Sequence, residues 1–435
     1  MSRKLVAASC AALLLLGTPV TVMAASAATS PRLADEQRQS GDPRHPGNPH
    51  HPGRGALVSA ERLYTLDGRT ESAAELKKAG FDPAVARHGV DAYRLVYRTV
   101  DTAGRPTTAS GLLALPRTPR GHGPLHAVSF THGTGVHPSD APSMQRAEFV
   151  SAAPVSYASA GFAAVAPDYL GMGTGPGVHP WMDVPSETSA SLDMLRAARA
   201  FTPRTGHTLE RDVMVTGFSQ GASAALGLAR ALQAGEDRWF RAGALAPVSG
   251  AYDFGGTQLP ATLDPERVAP KYAVVYAAYI LVSVQRLHGG VYDDPGALFH
   301  AKYAGIVEEL FDGSHTGPEM MDALPDTPGQ LLTARGLDLI EHPTGRFADV
   351  LREAGTVCTD WAPRMPTRLY RATGDEQAVV ENTDWCGAGL RANGADAPVV
   401  DLGPVDHDGS RHLGSSRAAT AATVDWFREL AGAGR

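Results

Sequence analysis

Hydrophobic positions along the chain alternate between short apolar runs and longer amphipathic segments. Residues 93–100 and 107–115 flank a turn that contains Gly104 and Pro106, and this arrangement predicts an antiparallel hairpin. Short apolar runs then alternate with segments of helical spacing. Further strands are predicted at 126–131, 162–166, 213–216, 242–248, 367–373 and 398–402, and helices at 144–160, 187–201, 222–232, and 417–430. This order predicts an α/β fold, with a mostly parallel central sheet and helices on both faces.

The alternation stops between residues 252 and 358, where helices are predicted at 266–287, at 297–311 and from 319 onward. This stretch is too long for a simple loop, so we interpret about 255–357 as an inserted helical cap. Its segment 272–284 is apolar on nearly all sides but too short to span a bilayer. We expect it to be a buried helix or a wall that binds acyl groups.

The N-terminus has the pattern of a secretory signal. Arg3 and Lys4 precede an apolar run at 5–16 and a small-residue cleavage site, which predicts a signal peptide at 1–28. An uncleaved membrane anchor is the alternative. Residues 29–55 are rich in Pro, Gly and His and predict a disordered linker. Its histidines 45, 50 and 51 fit a solvated tail better than a metal site. The predicted catalytic domain follows the linker and comprises residues 56–435.

Net charge and cysteine content indicate which binding partners and which cellular compartment are compatible with the chain. The formal net charge is −7, and cleavage of the signal would remove two positive charges, leaving −7 − 2 = −9. The sequence has no basic stripe of the kind that binds nucleic acid, and no protein partner is predicted. Export would leave Cys358 and Cys386, an even pair that predicts a disulfide in an extracellular, oxidising compartment. Two free buried thiols are the alternative.

The stretch from Gly217 to Gly221 has the strongest chemical signal. Its G-x-S-x-G pattern lies between a β-rich run and an Ala/Leu-rich helix, which is the arrangement of a nucleophile elbow. Side chains at the two glycines would collide in so tight a turn, and the turn exposes the central hydroxyl. Ser219 is therefore the predicted nucleophile, with an ordinary Gly/Ser turn as the alternative.

A serine hydroxyl needs a base within hydrogen-bond reach, and the base needs a carboxylate. Asp375 follows the strand predicted after the cap and is the predicted acid, with Glu376 and Asp384 as weaker rivals. His407 follows the last predicted strand and is the predicted base, with His412 as its competitor. His132, His179 and His315 are interpreted as loop or core residues. No histidine or cysteine cluster predicts a metal, and no cofactor is predicted.

The oxyanion of a tetrahedral intermediate needs two further donors. One is the backbone N–H of Gln220, the residue after the nucleophile. The other is predicted in the glycine-containing loop after strand 126–131, at the amide of Thr134, with Gly133 as the alternative.

Four motifs together resemble the α/β-hydrolase superfamily. They are the strand–elbow–helix unit, the His132–Thr134 loop, the Pro167–Gly173 turn and the acid turn Gly374-Asp375-Glu376-Gln377. Within the superfamily, the chain is most similar to secreted lipases and esterases of the secretory lipase group. The resemblance covers roughly residues 56–434. Family members usually have glycine where this chain has Ala222, and the cap matches no known pattern.

The predicted function is that of a secreted serine hydrolase that cleaves carboxylic esters through a Ser-Asp-His triad and an acyl-enzyme. The apolar cap favours longer acyl chains over acetyl groups and allows transient contact with a lipid interface. A serine peptidase or acyltransferase on the same scaffold, or a non-catalytic binding protein, are the alternatives, because a fold does not fix a substrate.

Overall fold

The computed structural model describes residues 53–118 and 123–433. The predicted signal peptide and nearly all of the predicted linker lie outside the described residues. The described part of the chain forms a nine-stranded sheet in the order β1-β2-β3-β5-β4-β6-β7-β8-β9. The strands are β1 Leu57–Leu66, β2 Gly89–Val100, β3 Pro106–Arg117, β4 Leu125–Thr131, β5 Ala163–Pro167, β6 Leu209–Phe218, β7 Arg241–Val248, β8 Leu369–Arg371 and β9 Val399–Asp401.

Strand directions follow the predicted order. The pairs β1–β2, β2–β3 and β3–β5 are antiparallel. All pairs from β5 through β4 to β9 are parallel. Strand β1 was not predicted from the sequence. It lies at the sheet edge with most of its side chains at least partly exposed, so it has no apolar alternation to detect.

Helices cover both faces of the sheet. Alternate residues of β6 belong to two different hydrophobic clusters, with Val213 and Val215 in one and Met214 in the other. Helices α3, α4 and α12 pack against the first face, and α1, α2 and α13 against the second. These helices are α1 Arg69–Lys78, α2 Phe149–Ser159, α3 Val184–Phe201, α4 Gln220–Ala234, α12 Glu381–Ala392 and α13 Arg411–Ala433.

Several helix starts differ from the sequence prediction, and the capping contacts of two of them give the reason. Helix α3 begins at Val184, and its N-cap is Asp183, whose carboxylate accepts from the Ser186 N–H at 3.0 Å. This helix therefore begins three residues before its predicted start at 187. Helix α13 begins at Arg411, six residues before its predicted start, because acceptors outside the helix satisfy its first N–H groups.

Between β7 and β8 the described chain is helical, and we call this region the cap. Its helices are α5 Leu259–Ala261, α6 Pro270–His288, α7 Ala301–Ala304, α8 Gly317–Ala323, α9 Pro328–Leu331, α10 Ala334–Glu341 and α11 Gly345–Thr359. They share a hydrophobic cluster that also contains Trp181 and Met182 from the main domain. Helix α6 is buried along most of its length. Within the described residues, no helix combines the length and apolarity needed to cross a membrane.

A disulfide joins the cap to the main domain. Cys358 in the last turn of α11 is bonded to Cys386 in α12, as predicted. Both cysteines are fully buried in the cluster that covers the first face of the sheet. The bond therefore fixes the point where the chain returns from the cap to the sheet.

Candidate active site

Ser219 lies at the sharp turn between β6 and α4. Its backbone has φ 57° and ψ −122°, a strained conformation for a residue with a side chain. A Cβ atom on Gly217 would lie 2.1 Å from the carbonyl oxygen of Gly221. A Cβ atom on Gly221 would lie 2.1 Å from the Thr131 carbonyl oxygen. Both flanking glycines are thus sterically required, for the reason given by the sequence argument.

The Ser219 hydroxyl is hydrogen-bonded to a histidine that is itself bonded to a carboxylate. His412 Nε2 lies 2.9 Å from Ser219 Oγ, and His412 Nδ1 lies 2.8 Å from Asp375 Oδ2. Only 3% of the His412 side chain and 1% of the Asp375 side chain is exposed. A carboxylate on Nδ1 requires that nitrogen to carry the proton, so the Nε2 lone pair faces the hydroxyl.

Asp375 is held by its own turn. Its Oδ1 accepts hydrogen bonds from the backbone N–H groups of Gln377 and Ala378, both at 2.9 Å. This leaves Oδ2 for the imidazole of His412. The turn follows β8 directly, at the carboxyl edge of the sheet, where the elbow also lies.

The structure corrects the prediction of His407 as the base. His407 stacks on Phe149, with ring centroids 5.7 Å apart, and its Nδ1 lies 2.9 Å from the guanidinium of Arg417. Its Nε2 lies 3.7 Å from Asp408. His412 thus contacts Ser219 and Asp375, whereas His407 packs against α2 and α13.

A turn explains the position of His407. The backbones of His407 and Ser410 exchange two hydrogen bonds of 2.9 Å around Asp408 and Gly409, which both have positive φ. Asp-Gly is a preferred pair for such a two-residue turn. This signal was available in the sequence and would have assigned His407 to a turn. The early start of α13 then places His412 in the first turn of the helix, facing the elbow.

The two rival carboxylates have other partners. Glu376 accepts from the Ser410 hydroxyl and from the N–H groups of Arg411 and His412, so it caps α13. Burial by itself would raise the pKa of Glu376, but these hydrogen bonds outweigh it and lower the pKa below its ordinary value. Asp384 forms an ion pair with Arg371 on the surface.

The predicted oxyanion residues lie beside Ser219. A Cβ atom on Gly133 would lie 3.4 Å from the Ser219 Cβ and 3.1 Å from the Phe218 ring, so the loop after β4 packs directly on the elbow. Thr134 lines the same cavities as Ser219, and its hydroxyl accepts from Trp181 Nε1 at 3.0 Å. Gln220 is the first residue of α4, so its N–H has no acceptor within the helix.

His132 is hydrogen-bonded to the loop after β4 and stacks on a buried tyrosine. Its Nδ1 lies 2.7 Å from the Gly133 carbonyl oxygen, and its ring stacks on Tyr169 at 4.3 Å. The Tyr169 hydroxyl donates to the carbonyl of His132 at 3.0 Å. Burial lowers the pKa of His132. This fits the interpretation of His132 as a core residue.

The side chain of Gln220 belongs to a buried polar cluster that sequence reasoning missed. Its Nε2 lies 2.6 Å from Glu187 Oε1 and 2.9 Å from His179 Nε2. Burial raises the pKa of Glu187 to about 8. Burial lowers the pKa of His179 to about 4, with a smaller effect of His132 in the same direction. Glu187 lies on α3, far from the elbow in sequence, and no local pattern links the two.

Two cavities border Ser219. The larger has a volume of about 420 Å³ and is open to solvent. One side is formed by the loop after β4, α2 and His412, and the other by the cap residues Tyr272, Val275 and Met320. The smaller has a volume of about 20 Å³ and is lined by Trp181, Met182, Gln220, Phe254 and other neighbours of the elbow.

No family model matches the sequence, and no curated protein matches it. Several solved structures do match the structure of this chain. The rice cell wall degrading esterase LipA from Xanthomonas oryzae is 26% identical, with 88% of this chain and 100% of that chain covered and a TM-score of 0.74. A proposed hydrolase from Legionella pneumophila is 23% identical, with 86% and 98% covered and a TM-score of 0.75. Candida antarctica lipase A is 16% identical, with 81% and 77% covered and a TM-score of 0.58. These similarities confirm the predicted fold class.

Proposed function

We propose that this chain, whose fold is that of the α/β-hydrolases and is similar to those of solved esterases and lipases, cleaves carboxylic esters with Ser219 as the nucleophile. The observation that carries the proposal is the continuous hydrogen-bonded line from Ser219 through His412 to Asp375. Such a line gives a hydroxyl its base and gives the base its carboxylate.

In the proposed acylation step, Ser219 Oγ attacks the ester carbonyl while His412 Nε2 takes the hydroxyl proton. Asp375 stabilises the imidazolium that forms, through the bond to Nδ1. Its own two backbone hydrogen bonds keep this carboxylate in place. His412 then gives the proton to the leaving alcohol, and an acyl-enzyme remains on Ser219.

The negative charge of the tetrahedral intermediate needs fixed donors. We assign this role to the backbone N–H groups of Gln220 and Thr134, which flank Ser219. The N-terminus of α4 adds the positive end of its dipole at the same position. Water activated by His412 then attacks the acyl-enzyme and releases the acid, which restores the free serine.

The test compares ester hydrolysis with amide hydrolysis by the same protein preparations. Wild-type protein should hydrolyse p-nitrophenyl esters, and Ser219→Ala should lose nearly all of that activity. Peptide p-nitroanilides should be poor substrates. Rapid amide cleavage with slow ester cleavage would instead indicate a peptidase, and ester cleavage that survives Ser219→Ala would contradict the role of Ser219.

We also propose that the chain is exported after cleavage of its N-terminal signal. The signal pattern at 1–28 and the disulfide between Cys358 and Cys386 support this, because disulfides persist in oxidising compartments. Expression of the full chain followed by N-terminal sequencing should give a secreted protein that starts near residue 25 to 29. A full-length protein in the membrane fraction would contradict the proposal.

A further inference from the structure

The two cavities beside Ser219 differ about twentyfold in size, with volumes of about 20 and 420 Å³. An ester has two parts, the acyl group and the alcohol, and they leave the carbonyl carbon in opposite directions. Which part enters which cavity therefore determines the class of ester that the site accepts. The position of His412 decides between the two assignments.

His412 lines the large cleft and does not line the small cavity. The alcohol oxygen must receive its proton from His412 Nε2, so it lies on the His412 side of the carbonyl carbon. The alcohol therefore extends into the large cleft. The acyl chain extends the other way, towards Gln220 and the small cavity.

The small cavity has about one twentieth of the volume of the cleft, so it suits a short acyl group better than a long one. An acetyl group places one methyl beyond its carbonyl carbon and fits this space. Longer acyl chains would run against the walls of this cavity.

The walls of the small cavity are held from several sides. The Trp181 ring stacks on Tyr279 at 4.4 Å and meets Phe254 edge-on at 5.8 Å. Its Nε1 donates to Thr134 Oγ1, and its carbonyl oxygen accepts from the Ser283 hydroxyl at 2.8 Å. All of these side chains except Thr134 are buried. Close-packed walls of this kind yield only at a cost in free energy.

We propose that the preferred substrates are acetate esters of bulky alcohols, with the acetyl methyl in the small cavity and the alcohol in the cleft between α2 and the cap. The inference rests on the proposed ester hydrolysis at Ser219. It is opposite to the expectation of long acyl chains that the apolar cap suggested. Cap residues line both cavities, with Phe254 on the acyl side and Val275 and Met320 on the alcohol side, and the acyl-side cavity is the small one.

Octyl acetate and ethyl octanoate test this directly, because they are isomers and both release a primary alcohol of similar acidity. Octyl acetate should have a kcat/KM at least about tenfold higher, since a few methylenes in a small apolar pocket discriminate by that much or more. Equal rates, or faster cleavage of ethyl octanoate, would overturn the inference. So would cleavage of neither isomer by protein that hydrolyses p-nitrophenyl acetate. Failure to hydrolyse p-nitrophenyl acetate as well would contradict the ester hydrolase function itself.

Substitutions in the wall of the small cavity test whether that cavity causes the preference between the two esters. Phe254→Ala and Met182→Ala each enlarge the small cavity and should lower the ratio of octyl acetate to ethyl octanoate activity by about tenfold. Phe299→Ala is the matched control, because Phe299 is equally buried in the same cluster but lines neither cavity. It should keep the wild-type ratio. A ratio from one preparation does not depend on the folded fraction, so a wild-type ratio in both cavity variants would overturn the assignment.

Discussion

The Glu376 carboxylate accepts a hydrogen bond from the backbone N–H of His412 at 3.3 Å, while the preceding residue, Asp375, binds the imidazole ring of His412 at 2.8 Å. Consecutive carboxylates thus hold the backbone and the ring of one histidine. Glu376 also accepts from the N–H of Arg411 at 3.0 Å, which fixes the start of α13. The position of His412 therefore depends on a residue that does not contact Ser219.

Glu376→Gln should lower kcat by about tenfold and lower the melting temperature, because the amide keeps only one acceptor oxygen and no charge at the start of α13. The pKa of Glu376 is lowered in the folded state, so its stabilisation is present above the ordinary carboxyl pKa and is lost as pH falls. Ester kinetics at pH 7 measure the first effect, and thermal melts at pH 7 and pH 4 measure the second. Glu353→Gln, at an exposed glutamate of α11, should leave both nearly unchanged. Equal effects of the two variants would contradict the positioning role.

His412→Ala should lower kcat/KM for p-nitrophenyl acetate by about 10⁴-fold or more, because it removes the base that contacts Ser219. His407→Ala should stay within a few fold of wild type, since its ring contacts Phe149 and Arg417 rather than Ser219 or Asp375. Steady-state kinetics of the two variants in parallel make the comparison. Large loss in His407→Ala with activity retained in His412→Ala would show that the assigned base is wrong.

Glu187→Gln should become more stable relative to wild type as pH rises from 6.5 to 8.5. The pKa of Glu187 is raised to about 8, so in this range the folded protein binds a proton that the unfolded chain has lost. Wild-type stability attributable to Glu187 therefore falls with rising pH, by up to about 1.4 kcal/mol per pH unit. Denaturant unfolding at several pH values measures the difference.

His179 is the other titrating residue in the cluster with Glu187 and Gln220, and its protonation does not change in the tested pH range. The pKa of His179 is lowered to about 4, so its contribution changes between about pH 4 and 6.5, below the tested range. Its sign is also opposite, since stability from His179 rises with pH there. Glu353→Gln, at an exposed glutamate of α11, should follow wild type across the range. A Glu187→Gln curve parallel to wild type would mean that Glu187 is ionised in the folded protein.

Replacing both Cys358 and Cys386 with alanine should lower the free energy of unfolding by about 3–4 kcal/mol on the chain-entropy model, because the bond closes a loop of 28 residues. Reduction of the wild type under denaturing conditions, followed by thiol blocking, provides a second measurement. Unchanged melting temperatures in both experiments would contradict a stabilising bridge. Ester hydrolysis at low temperature should persist, since neither cysteine contacts the Ser219 site.

The parts of the site that lie next to strand ends could be predicted from sequence. Ser219 and Asp375 both follow apolar runs directly, and local glycine chemistry identifies their turns. The edge strand β1 could not be found this way, because exposed strands lack the apolar alternation that reveals buried ones. The structure thus agrees with the sequence argument wherever one strand and one turn define the position.

His412 could not be chosen over His407 by that reasoning. Its position depends on Glu376, which is close in space and distant in the chain, and on the resulting start of α13 at Arg411. Distance from the last strand favoured His407, and only the Asp408-Gly409 turn signal opposed it. The cluster of Glu187, His179 and Gln220 is likewise a product of tertiary packing, since three separate segments supply it.

The central claim is that Ser219 is a nucleophile activated by His412. Reaction with a fluorophosphonate followed by mass spectrometry of the digested protein tests it most directly, because the probe bonds only to an activated serine. The account predicts a single adduct on Ser219 in wild type and His407→Ala, no adduct in Ser219→Ala, and almost none in His412→Ala. An adduct on another serine, or full labelling of Ser219 in His412→Ala, would contradict it.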